Sequence, residues 1–132
     1  MTYCQANGIG LLGHGSLAQG LLSGKFDKNS KFPKSDRRSR LPYFKGQELD
    51  LFLKLAVALK EVGAQYDRTT AQVALRWSLD SAEISSAIVG IRSPRQIEEN
   101  VGALGWKLDD DSLRYLEHAS HPIIRAVPQL GG

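Results

Sequence analysis

The residues Val89-Gly90-Ile91-Arg92-Ser93-Pro94-Arg95-Gln96-Ile97-Glu98-Glu99-Asn100 decide the fold of this chain. The apolar segment from Ser86 to Ile91 is typical of a short strand, and it leads directly into a helix. Ser93 stands where an N-cap belongs, Pro94 is at the first helical position, and Gln96 completes an S-x-x-Q capping box. A strand that runs straight into a capped helix indicates an α/β unit.

The start of this helix has the chemistry of an anion site. Backbone N–H groups without helical partners and a partial positive charge lie at the helix N-terminus, and Arg92 adds a permanent cation there. Gln96, Glu99 and Asn100 follow at spacings of three and four, so they share one helix face. The pattern is equally typical of a capped surface helix with a solvated polar face, and local physics does not separate the two interpretations.

The remaining segments alternate between strand and helix patterns. Strands alternating with helices imply a parallel sheet with crossover connections. A strand from Ile9 to His14 is expected to be buried on both faces, and a loop of weak local order runs from it to about Tyr43. Residues 1–7 are predicted to be the end of a helix, and further helices are predicted at Gly46–Glu61, at Thr69–Leu79, from the Ser93 cap to Ala103, and at Asp109–Ala119. Gly63 is a plausible stop for the first of these, and a loop-like tail follows the last.

Composition narrows the classes of protein. The chain has 132 residues, 42% of them apolar and 23% charged, which is the profile of one globular domain. No apolar run approaches the ~20 residues that span a bilayer, and the first residues lack the pattern of a secretory signal. A single cysteine, Cys4, cannot form an internal disulfide. We therefore expect a cytoplasmic protein without a membrane partner.

The net charge of +3 is concentrated in one loop. A basic loop is compatible with nucleic-acid binding, with a solvated surface loop, or with a loop that folds towards an anionic dinucleotide. Phe32, Tyr43 and Phe44 could stack on bases, but no nucleic-acid motif frames them, so we expect no nucleic-acid partner. The cations between Lys25 and Lys45 are Lys28, Lys31, Lys34, Arg37, Arg38 and Arg40.

Two motifs resemble a known family. The run IVGIRSPRQIEENVGALGW resembles the segment with which aldo/keto reductases grip the adenosine 2′-phosphate and adenine of NADPH. The run GHGSLAQGLLSGK, from Gly13 to Lys25, is similar to the family's preceding cofactor loop, and AQVALRW lies between the two. The resemblance covers almost the whole chain, with both motifs in the family's order.

The resemblance implies a fold and a domain organisation. The family folds as a (β/α)₈ TIM barrel, and residues 1–132 resemble its last two βα units with the C-terminal helices. We therefore expect an α/β C-terminal barrel fragment, a single partial domain of about two parallel strands plus flanking helices. In such barrels a phosphate site is commonly built from the loops after strands seven and eight.

The resemblance also implies a set of NADP(H)-binding residues. In the first motif His14 takes the place of the residue that stacks on the nicotinamide, and Lys25 closes the loop that holds pyrophosphate and ribose. The Asp-x-Arg pattern near Asp36 suggests Arg37 as a basic residue over the phosphates. Arg92 would contact the 2′-phosphate and favour NADPH over NADH, with Glu99 and Asn100 at the adenine. The full set is His14, Gly15, Ser16, Leu17, Ala18, Gln19, Lys25, Arg37, Gly90, Arg92, Gln96, Glu99 and Asn100.

The implied activity is hydride transfer from NADPH to an aldehyde or ketone, with a small carbonyl compound as substrate. The family's Asp, Tyr, Lys and His proton-transfer group belongs to earlier strands, and no matching motif, Ser-His-Asp set or metal-ligand spacing occurs here. We therefore expect no catalytic or metal-binding residue and no turnover by these residues alone. Exposed strand edges predict self-association. The alternative is a non-catalytic NADPH-binding or regulatory module.

Overall fold

The computed structural model describes residues 2–81 and 84–127 of the chain. Its regular elements are α1 (Thr2–Ala6), β1 (Leu11–His14), α2 (Gly46–Tyr66), α3 (Thr70–Asp80), β2 (Ile84–Ile88), α4 (Pro94–Val101) and α5 (Asp110–Ala126), with three 3-10 segments at Ala18–Ser23, Arg37–Arg40 and Pro42–Phe44. This content confirms the predicted α/β class, with two strands and flanking helices.

The two strands form a parallel pair. Leu11 pairs with Ile84 and His14 with Ile88, with a register irregularity after Leu11. Because the strands are parallel, their carboxyl ends lie at the same edge of the sheet, and the loops that follow them meet there. The expected burial of β1 on both faces is wrong, since Leu12 is 66% exposed. Helix α3 packs against β2, whereas the side chain of Leu12 has no such cover among the described residues.

The hydrophobic core lies between the helices. Helix α2 packs against α3 and α5, and its buried residues recur at the three-to-four spacing of an amphipathic helix. Val73 of α3 and Leu116 of α5 close this core and are fully buried. Of the helices that the described residues form, none has both the length and the apolar character that crossing a bilayer requires.

The loop between residues 25 and 44 contains more regular structure and side-chain packing than its sequence suggested. The rings of Phe26 and Phe32 are 5.2 Å apart, and those of Phe32 and Phe44 are 5.1 Å apart, both edge-on. Tyr43 packs on Phe52 of α2, which joins this aromatic cluster to the core. Burial of aromatic surface holds the loop in place, so Phe32, Tyr43 and Phe44 stack on protein partners.

Two helices run further than predicted. Helix α2 passes Gly63 and ends at Tyr66, with Asp67 in the left-handed conformation. Gly63 is buried, and the position favours glycine because the carbonyl of Arg68 returns so close that a Cβ would collide with it. Helix α5 passes Ala119 and Pro122, because burial of Ile123 continues its apolar stripe to Ala126.

The second strand starts and ends earlier than the predicted Ser86–Ile91, because Val89 to Ile91 have left the ladder to reach the next helix. Helix α4 ends at Val101, two residues before the expected Ala103. The loop predicted for the tail is wrong up to Ala126, because helix α5 continues to that residue. Residues 128–132 of the tail lie outside the described part of the chain.

Candidate cofactor cleft

A cleft of about 420 Å³ opens at the sheet edge where both strands end. One wall is the loop after β1, and the opposite wall is the turn after β2 together with α4. The lining residues of the first wall and its neighbours are His14, Gly15, Ser16, Leu17, Gln19, Gly20, Ser23, Lys25, Phe26, Arg38 and Ala71. Those of the second wall are Ile88, Val89, Gly90, Ile91, Arg92, Gln96, Glu99 and Asn100.

The first wall follows a tight left-handed path. Ala18 and Gln19 have φ values of 47° and 56°, which side chains seldom adopt, and Gly20 follows at 99°. The carbonyl of Gly15 accepts a 2.7 Å hydrogen bond from Ala18, and that of Leu17 accepts one of 2.8 Å from Gly20. Conformations of this kind persist where surrounding packing determines them, and they are concentrated at binding sites.

Packing holds this strained loop from both sides. Leu21 and Leu22 are buried in the core directly after the left-handed residues. A Cβ on Gly20 would lie 3.1 Å from the ring of Phe26, so glycine permits the close approach of the aromatic cluster. The loop is therefore anchored to the core beneath it and to Phe26 beside it.

The second wall begins with a helix cap that differs from the predicted capping box. The Ser93 side chain accepts a long 3.4 Å hydrogen bond from the Gln96 amide, as expected. The Gln96 carboxamide oxygen, however, accepts a 2.6 Å hydrogen bond from the backbone N–H of Arg92 instead of that of Ser93. The box is therefore only half formed, and Gln96 fixes the backbone from which the Arg92 side chain projects.

A second capping residue anchors α4 to the rest of the fold. Thr69 and Gln72 form the complete capping box predicted for α3. The Gln72 side chain also donates a 2.9 Å hydrogen bond to the Glu99 carbonyl. One glutamine thus caps α3 and fixes the position of α4.

The two walls are connected by an ion pair. The Lys25 ammonium lies 3.8 Å from the Glu99 carboxylate, and both side chains retain contact with solvent. A long, exposed pair of this kind contributes little to stability. Its geometry nevertheless shows that residues 74 positions apart in sequence reach the same cleft.

Arg38 is the cation with the most contacts at the cleft. Its Nη2 lies 2.6 Å from Asp36 Oδ2, and its Nε donates to the same carboxylate at 3.0 Å. The guanidinium carbon is 4.4 Å from the ring centre of Phe32 and 5.3 Å from that of Phe26, which are cation–π distances.

Positive charge predominates at the cleft. Hydrogen bonds from the Arg38 side chain and backbone lower the pKa of Asp36 from 3.8 to about 2, with a smaller contribution from the charge of Arg92. Lys25, Arg38 and Arg92 line the cleft, and the carboxylates of Glu99 and Asp36 balance two of these three charges, which leaves a net positive charge. An anionic ligand is therefore favoured over a cationic one.

The structure brings most of the predicted site residues together. All of them line the cleft except Ala18 and Arg37. Ala18 packs against the hydrophobic core instead. Arg37 is exposed, and its charge opposes the rise that burial causes in the pKa of Tyr43.

Sequence reasoning missed Arg38, Phe26 and Ser23. The signal for Arg38 was present, since the Asp-x-Arg pattern that starts at Asp36 has its arginine at position 38. Phe26 lines the cleft because of packing with other loop aromatics, which spacing does not encode.

No candidate metal centre occurs among the described residues, where three His, Cys, Asp or Glu side chains nowhere converge. His118 and His121 are near each other on α5, with ring centres 5.9 Å apart. They lie on a different element from those that form the cleft walls.

Comparison with known proteins finds similar reductases and one similar dehydrogenase structure. Chloroplastic pyridoxal reductase of Arabidopsis thaliana is 37% identical over 90% of this chain and 31% of its own length. An aldo-keto reductase of Schizosaccharomyces pombe whose name specifies NADP(+) is 27% identical over 90% of this chain and 35% of its own length. The solved structure of glycerol dehydrogenase from Gluconobacter oxydans matches with a TM-score of 0.83 and 28% identity, over 96% of this chain and 38% of that chain.

The chain thus spans about a third of the length of these relatives. Its two parallel strands and flanking helices correspond to part of the family's barrel, as the sequence predicted. The family model for aldo/keto reductases matches residues 1–121. On this match, the chain belongs to the aldo/keto reductase family.

Proposed function

We propose that the cleft binds NADP(H) and that the chain supplies the cofactor-binding part of an NADPH-dependent reductase of aldehydes or ketones. The observation that carries the proposal is the meeting of two sequence-distant loops at one cleft. The loop from His14 to Lys25 and the segment from Gly90 to Asn100 face each other across it.

Size and charge support a dinucleotide. The cleft volume of about 420 Å³ falls in the ~300–1,000 Å³ range of small-molecule and cofactor sites. The three cations suit a ligand with several phosphates, and arginine can bind a phosphate with two parallel hydrogen bonds. Arg92 beside the N-terminus of α4 provides this donor fork where backbone N–H groups also favour an anion.

Each wall has a distinct proposed role. The bound nicotinamide would supply the hydride, and the protein positions it. The backbone of Gly15, Ser16 and Leu17 would hold the pyrophosphate and ribose, with His14 against the nicotinamide. Arg92 would bind the 2′-phosphate, while Glu99 and Asn100 would bind the adenine.

The complete activity requires more than these residues. By the family resemblance, proton donation and the carbonyl pocket belong to other strands of the barrel, within the two thirds of the relatives' length that this chain does not cover. We expect residues 1–132 to bind NADPH without reducing a carbonyl. A chimera with residues 1–121 in place of the matching segment of the Gluconobacter glycerol dehydrogenase should oxidise NADPH with a reactive aldehyde. Binding without turnover in a folded chimera would favour a non-catalytic or regulatory module.

Exchange of one arginine tests the cofactor proposal. Arg92→Ala removes a charge-assisted phosphate contact worth ~1.5–3 kcal/mol, so NADPH affinity should fall by roughly 10- to 150-fold. NADH affinity should change by less than about 2-fold, because NADH lacks the 2′-phosphate. Fluorescence titration of both cofactors measures the two effects.

A neighbouring arginine provides the matched control. Arg95 lies on the same helix but does not line the cleft, so Arg95→Ala should leave both affinities unchanged. An unchanged ratio of NADPH to NADH affinity in Arg92→Ala would contradict the assignment of Arg92 to the 2′-phosphate.

A further inference from the structure

Asp36 is in contact with one of the cleft cations without lining the cleft itself. Its Oδ1 accepts hydrogen bonds from the Arg38 backbone at 2.9 Å and from Arg38 Nε at 3.0 Å. Its Oδ2 accepts the 2.6 Å bond from Arg38 Nη2. The two side chains are only 22% and 21% exposed, so this pair is better shielded than the Lys25–Glu99 pair.

The same contacts fix the orientation of the guanidinium. A guanidinium has five N–H donors, and Asp36 occupies the edge formed by Nε and Nη2. In the described part of the chain, the hydrogen bonds of the Arg38 side chain go to Asp36 alone, which leaves the Nη1 edge available. The rings of Phe26 and Phe32 hold the guanidinium plane from the side.

We propose that Asp36 is a positioning residue, which holds Arg38 so that its remaining N–H donors are preorganised for a phosphate of the bound dinucleotide. This inference rests on the proposed NADP(H) function of the cleft. Because the carboxylate balances the charge of Arg38, the pair offers directed hydrogen bonds more than net charge. It therefore differs from Arg92, which has no hydrogen-bonded carboxylate among the described residues.

Two opposing effects decide whether Asp36→Asn raises or lowers the affinity for NADPH. Loss of the carboxylate exposes the charge of Arg38, which would attract phosphate more strongly. The 0.15 M salt of the titration weakens this attraction, since the Debye length is about 8 Å, and we expect the loss of geometry to outweigh the attraction that remains. Loss of the fixed geometry requires Arg38 to be ordered on binding, which weakens affinity by about 3- to 10-fold for one long side chain.

A double-mutant cycle on the full chain, titrated with NADPH at 0.15 M salt, tests the proposal. Asp36→Asn should weaken NADPH binding by about 3- to 10-fold. In the Arg38→Ala background, Asp36→Asn should cause no further change, since its effect acts through Arg38. Asp27→Asn is the matched control, because Asp27 caps a turn in the same loop through Asn29 and Ser30 and contacts no arginine among the described residues.

The outcomes separate this proposal from the one on which it rests. Tighter NADPH binding by Asp36→Asn would show a competing counter-ion and overturn the positioning role. Equal binding, or an equal loss with and without Arg38, would also overturn it while leaving the cofactor proposal intact. No NADPH binding by the unsubstituted chain would overturn both. A urea unfolding curve for each variant establishes that it is folded. Asn at position 36 keeps a side-chain oxygen that can accept the hydrogen bond from the Arg38 backbone N–H.

Discussion

Side chains are more deeply buried in the helical core than in the sheet that carries the cleft. In the core, Leu59 and Leu116 are fully buried, and α2 packs against both α3 and α5. At the sheet, Leu12 and Ile88 are 66% and 50% exposed. Within β1, β2 and α4, all of which the structure describes, no residue is fully buried.

This difference separates stability from binding. The free energy of folding comes mainly from apolar burial between the helices, because burial is the dominant favourable contribution. The sheet provides the geometry that brings two loops to one edge. The cleft therefore depends on a region that the described residues stabilise least, and it relies on anchors such as Gln72 and Leu21.

The largest expected contrast comes from one leucine in each region. Leu59→Ala should lower the free energy of unfolding by roughly 2–5 kcal/mol, because it leaves a cavity in the core. Leu12→Ala should lower it by less than about 0.5 kcal/mol, because that side chain is mostly in solvent. Urea unfolding of the two variants measures both values. Similar losses would show that the sheet is packed as well as the core.

Self-association provides a second contrast. The exposed apolar side chains of the sheet, and its strand edges that no described residue pairs with, predict concentration-dependent association of the chain. Leu12→Lys should reduce it, whereas Val57→Lys, on the exposed side of α2, should have less effect. Sedimentation velocity over a concentration series gives the comparison. Equal reduction by both variants would mean that the sheet is not the associating surface.

The two capped helices give a smaller contrast. Thr69→Ala should lower the free energy of unfolding by about 1 kcal/mol, because the capping box of α3 is complete. Ser93→Ala should cost less than about 0.5 kcal/mol, because its 3.4 Å bond is long and its box is half formed. Thr69→Ser is the control and should retain most of the stability. A larger loss from Ser93→Ala would indicate that the α4 cap is stronger than its geometry suggests.

The smallest expected effect is a pH dependence of the cleft region. The pKa of Asp36 is lowered from 3.8 to about 2 in the folded state, so its stabilising contribution is complete above about pH 4. That contribution should be lost as the pH falls from about 4 to about 2. Asp36→Asn should remove this part of the pH dependence, as measured by urea unfolding midpoints at pH 5, 3 and 2. An identical pH profile in the variant would contradict the lowered pKa of Asp36.

Prediction from sequence worked where local rules control the structure. Caps and apolar periodicity located α3 and the start of α4, and the family resemblance placed His14, Arg92 and Asn100 at one cleft. Prediction failed where contacts between residues that are far apart in sequence determine the structure. Burial of Ile123 carries α5 past Pro122, and close approach of Arg68 explains Gly63 inside α2. Packing of Phe26 and Phe32 brings Arg38 to the cleft, and no local pattern encodes such packing.

Amide hydrogen exchange with and without NADPH tests the central claim most directly, because it reports on both loops at once. We predict that NADPH slows exchange in the segment from His14 to Lys25 and in the segment from Gly90 to Asn100, while α5 changes little. Protection confined to one segment, or absent from both at saturating NADPH, would contradict a single cofactor cleft formed by the two loops.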